Sequence, residues 1–143
     1  MMRGTMVLAG ALFFAAPAFA SNDDISVLTR YGLIGSHWAV DCSKPMSASN
    51  YYASYSVGPN GSPVQTLRTP QSEKVREMRN VQAISASWFV FTMMDENQQA
   101  FDILFKIEGN REKTWRSVAQ GGKAYILNGK GNTADPPWFQ RCK

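Results

Sequence analysis

Residues 101–108 alternate almost strictly. Phe101, Ile103, Phe105 and Ile107 are apolar, while Asp102, Lys106 and Glu108 between them are charged, with Leu104 the one exception. A period of two places the first set on one face of a strand and the second on the other. The stretch Trp88 to Met94 is apolar on both faces: Trp88, Val90 and Met94 on one, Phe89, Phe91 and Met93 on the other. A strand of that kind is covered on both sides or faces a cavity. Ser36 to Cys42 alternates as well, with Trp38, Val40 and Cys42 sharing a face. Tyr51 to Val57, Val64 to Arg68, Lys113 to Val118 and Tyr125 to Leu127 read as further short strands. Between them stand turn signals: Gly58-Pro59-Asn60-Gly61, Asp95-Glu96-Asn97, Gly109-Asn110, Gly121-Gly122 and the polar loop 128–132.

Three segments read differently. Ile25 to Tyr31 suggests a short helical turn in a polar lead-in. In 72–84, Val75, Met78, Val81 and Ile84 recur every three residues, which fits a helix. No helix stop separates them from Ala83-Ile84-Ser85-Ala86, so a strand over about 77–84 is favoured. Asp135-Pro136-Pro137-Trp138 predicts a short C-terminal helical turn, since proline is tolerated in a first turn. The sum is seven to nine short strands joined by hairpin-length turns. No long helix separates them, which excludes a parallel sheet. The predicted fold is all-β, a small antiparallel up-and-down meander barrel, because closure removes the exposed sheet edges.

The chain's 143 residues fit one domain, and 44% hydrophobic with 18% charged residues is a globular composition. Residues 1–20 read as a signal peptide. Arg3 is the positive region, Val7 to Ala16 the apolar core, Pro17 the break and Ala18-Phe19-Ala20 the cleavage motif. The apolar stretch falls short of the ~20 residues of a spanning helix. The expected mature domain is 21–143, periplasmic or secreted. Arg3 is the one basic residue in 1–20, so the mature domain carries 14 basic against 11 acidic residues. That mild excess is dispersed, without the basic stripe of a nucleic-acid module.

Export puts Cys42 and Cys142 in an oxidising compartment, where pairing is the default. Their separation of 100 residues is unlike the Cys-x-x-Cys of a redox pair, so a structural disulfide is expected. Two Cys and one His are too few for a zinc cage. His37 lacks an adjacent base partner, Asp95-Glu96 sits in a polar turn, and the Gly loops lack the context of a phosphate cradle. No catalytic residue, metal site or cofactor is assigned, and the chain reads as a non-enzyme.

Leu33-Ile34-Gly35-Ser36-His37-Trp38, at the start of an exported all-β chain, resembles the opening of lipocalin-like proteins, where Gly-x-Trp introduces the first barrel strand. Here two residues separate Gly35 from Trp38, and the long C-terminal helix of that family is missing. The resemblance implies that Trp38 packs at the closed end of the barrel beneath an arginine, either Arg116 or Arg141, by cation–π contact. The chain also resembles small exported bacterial proteins of unknown function that carry a Trp-Ala-x-Asp-Cys-Ser-like stretch and end near a Cys.

Two functions follow as expectations. The first is a barrel binding a small apolar ligand, with Trp88, Val90, Phe101, Ile103, Phe105 and Trp115 as the candidate binding residues. The second is a protein-interaction or inhibitor-type module with a filled core, contacting another exported protein through loops 43–50 and 58–63. Small barrel interiors are found both filled and hollow.

Overall fold

Along the first nine strands, each pairs antiparallel with the one after it, which is what hairpin-length turns allow. The computed structural model describes residues 22–143; the expected signal peptide, 1–20, lies outside them. A helix, α1 (Asn22–Arg30), leads into β1 (His37–Ala39), β2 (Tyr52–Val57), β3 (Pro63–Arg68), β4 (Glu73–Ser85) and β5 (Trp88–Met94). Then come β6 (Ala100–Glu108), β7 (Arg111–Ala119), β8 (Ala124–Leu127), β9 (Lys130–Gly131) and β10 (Phe139–Cys142). The closing step belongs to β10, which pairs with β1 on one side and β7 on the other. Strands β1–β7 and β10 thereby form a closed eight-stranded barrel, and β8 and β9 extend from β7 outside it.

The predicted C-terminal helical turn is absent. Residues 135–138 are irregular and lead directly into β10. Pro136 and Pro137 have no N–H to donate, and each disfavours helical backbone in the residue before it. The Asp135 carboxylate is also held away from a helix start, accepting from the Gly131 N–H at 3.2 Å and from Lys130 Nζ at 2.9 Å.

The ambiguous segment 72–84 is a strand, longer than expected at both ends. Its three-residue spacing comes from a bulge. Arg79 pairs with Thr92 and Gln82 with Val90, so two residues of β4 stand opposite Phe91 alone. The extra residue brings Met78 and Val81 onto the same buried face, while Val75 and Ile84 are 49% and 61% exposed. Asn80 takes φ 53° at the bulge. The N–H groups of Asn80 and Val81 donate instead to the buried carboxylate of Asp24 in α1, at 3.1 and 2.9 Å.

Those two bonds dock α1 against one end of the barrel, where Val27, Leu28 and Leu33 are buried. The Tyr31 hydroxyl donates there to the carbonyls of Ser85 and Trp88. Trp38 lies fully buried at the same end, with Arg141 4.8 Å over its ring. Trp38 and Arg141 are direct cross-strand partners, which explains why Arg141 makes the contact. Arg116, the other candidate, is exposed on β7. The Arg141 guanidinium donates to the Tyr31 carbonyl at 3.1 Å and presses on Gly32, where a Cβ would come within 2.7 Å of it. Cys42 and Cys142 are disulfide-bonded, with Cα atoms 5.4 Å apart, tying the segment after β1 to the end of β10.

A candidate ligand cavity at the open end

Antiparallel register puts the turns at 58–62, 86–87 and 109–110 at the α1 end, and those at 69–72, 95–99 and 120–123 at the other. Near that second end the barrel holds a cavity of about 210 Å³. Its position follows from the pairing of β5 with β6. Phe89 stands opposite Phe105, Phe91 opposite Ile103 and Met93 opposite Phe101. Towards α1 the rings close on one another: Phe89 packs 4.8 Å from Tyr31 and 5.4 Å from Phe105, and Phe91 lies 5.0 Å from Phe105. Farther up, Leu67, Met93, Phe101, Ile103 and Phe139 line open space with Phe105. The wall is predominantly apolar, as small-molecule sites are.

Several polar groups interrupt that wall. Glu112 on β7 lines the cavity, although it is only 2% exposed. Its Oε1 accepts a hydrogen bond from the Tyr55 hydroxyl, which in turn accepts from Gln65 Nε2 at 3.0 Å. Its Oε2 is buried without a partner, as is Nε of Arg141. Burial pushes the Glu112 carboxyl up to about 8, against the opposing pull of the Tyr55 hydrogen bond and the Arg141 charge. The same desolvation, together with the Glu112 charge, raises the Tyr55 hydroxyl well above its ordinary value. Arg76, on β4 opposite Gln65, also lines the cavity. Its guanidinium is held below its usual range by desolvation, partly offset by Glu96, Asp95 and Tyr51.

Of the six binding residues expected from the sequence, Phe101, Ile103 and Phe105 line the cavity. Trp88, Val90 and Trp115 do not; they lie on the outer surface of the barrel. The pleat decides this, since the buried positions of β5 are Phe89, Phe91 and Met93. Outside, Trp88 and Trp115 pack edge to face at 5.5 Å, with the Lys106 ammonium 5.3 and 4.8 Å from their rings. They belong to a shallow surface groove with Ile84, Leu104 and Leu127.

Sequence reasoning missed Tyr55, Gln65, Arg76 and Glu112. For Glu112 a signal was present. The two-residue turn Gly109-Asn110 sets 108 against 111 and 107 against 112, so Glu112 shares the inward face of Ile107. His37 is exposed. Asp95 lines the cavity, but its Oδ1 accepts the N–H groups of Asn97 and Gln99 at 2.9 and 2.8 Å, as a turn carboxylate does. Loop 43–50 is organised by the buried Asn50, whose Nδ2 donates to the carbonyls of Asp41, Lys44 and Pro45. No protein-family model, curated protein or solved structure matches this chain.

Proposed function

We propose that this chain is an exported, non-enzymatic barrel that holds a small, largely apolar ligand in the cavity at its open end. The observation that carries the reading is the hollow itself. The α1 end is packed ring against ring, while the opposite half of the interior leaves about 210 Å³ unfilled between apolar walls. Protein interiors are ordinarily packed to crystal density, and unfilled apolar space forgoes dispersion contacts that a ligand would restore. The cavity weighs against the filled-core alternative in which the loops make all contacts. The Cys42–Cys142 bond suits a periplasmic or extracellular site, and no helix among the described residues is long and apolar enough to cross a membrane.

A fluorescence titration with the uncharged probe N-phenyl-1-naphthylamine tests this. The probe should brighten and saturate with one site. Ile103→Trp, which fills the cavity, should abolish the signal while circular dichroism stays native. Leu127→Ser, in the outer groove, should leave the signal intact. No brightening, or loss with Leu127→Ser and not with Ile103→Trp, would refute the reading.

A further inference from the structure

We infer that the ligand is an amphiphile with a carboxylate or equivalent oxyanion head, which pairs with Arg76 while its apolar body lies along Phe101, Ile103 and Phe105. This rests on the ligand-binding reading above and names the chemistry of the same cavity. On β4, Lys74 and Val75 are exposed, Arg76 is partly covered and Met78 is fully buried, so Arg76 and Met78 share the inward phase of the strand. Arg76 is therefore an arginine turned into a barrel. Among the described residues it forms no salt bridge, whereas Arg68, Arg79 and Arg111 each do. A guanidinium partly withdrawn from water beside an apolar cavity loses hydration that an ion pair would replace, and arginines in such walls are suited to bind a carboxylate or phosphate.

The neighbouring groups do not fill that role. Asp95 and Glu96 make no salt bridge with it, and Asp95 is committed to its own turn. Burial raises the Tyr51 hydroxyl above its ordinary value, so it brings no anion near neutral pH. Glu112 belongs to the Tyr55 and Gln65 chain, and the cation whose charge acts on its carboxyl is Arg141, not Arg76. An oxyanion presented from within the cavity meets the guanidinium fork in a low-dielectric wall, where such a pair is stronger than in water. Tyr51 lines the same cavity, and its hydroxyl is a second donor there.

Displacement of the naphthylamine probe by decanoate and by decan-1-ol, near neutral pH, separates head from body. Wild-type protein should bind decanoate at least tenfold more tightly than decan-1-ol, and added sodium chloride should narrow the gap. Arg76→Gln should remove that preference and leave decan-1-ol affinity within about twofold. Arg79→Gln, an exposed arginine on the same strand, should change neither. Equal affinity of wild-type protein for the two compounds would overturn the inference and leave the cavity reading standing. Failure of the probe itself to bind would overturn both. Because the wild-type comparison needs no substitution, the outcome does not depend on how well Arg76→Gln folds.

Discussion

Glu112 is a carboxyl whose chemistry departs far from its ordinary behaviour. With its carboxyl raised from 4.5 to about 8, the folded protein keeps a proton that the unfolded chain releases between those values. Stability therefore falls as pH rises through that window and levels off above it. Tyr55 from β2 and Arg141 from β10 are the charged or titratable groups that act on it. Glu112→Gln keeps the shape and the acceptor for Tyr55 but cannot ionise. Denaturant melts should show the variant close to wild type near pH 4 and more stable, by on the order of several kcal/mol, near pH 9. A wild-type profile that is flat, or that rises between pH 5 and 8, would contradict the burial argument. The legibility of single residues differed sharply. Phe101, Ile103, Phe105 and Ile107 were readable because charged neighbours fixed their phase. Trp88 and Val90 were misplaced because a strand apolar on both faces carries no phase of its own. Arg76 was not readable at all, since the bulge that follows it breaks the alternation by which its side of the strand would be judged.

At the scale of elements, α1 and the β4 bulge form one unit. The bulge frees two backbone donors, and Asp24 accepts both. Asp24→Ala leaves the Asn80 and Val81 N–H groups without that acceptor, and should destabilise the protein by about 1–3 kcal/mol. Hydrogen exchange should speed up at Asn80 and Val81 and at the α1 amides, with β6 and β7 less affected. Uniform acceleration across all strands would mean that α1 is not a separately docked element. Apart from β4, the strands from β2 to β8 were legible because turn residues punctuate them. The terminal helical turn was misread because Pro and Asp are common to helix starts and to loops. What decided between these was a pairing with β1 and β7, both remote in sequence, and no local pattern reports that. The bulge was legible only as its side effect, the three-residue spacing of Met78 and Val81.

At the scale of the whole molecule, the barrel is a ring closed by a single short stave and pinned by one bond. Cys42→Ser or Cys142→Ser should lower stability by roughly 2–5 kcal/mol, the range for native bridges in small secreted domains. The check is a denaturant melt of each variant beside wild-type protein in reducing and non-reducing buffer. Reduction should bring the wild type down to the variants and leave them unmoved. The barrel itself was legible from strand count and turn length, whereas its hollow half was not, because cavity volume depends on how side chains from strands far apart in sequence meet. The position of β10 also sets an order of events. Phe139–Cys142 comes last in chain order among the barrel strands, yet it alone joins β1 to β7. Until it docks, the chain is a curled sheet with two open edges, each able to recruit a neighbour. Closure of the ring therefore waits on β10 meeting both of its neighbours, however early the strands from β1 to β7 have paired.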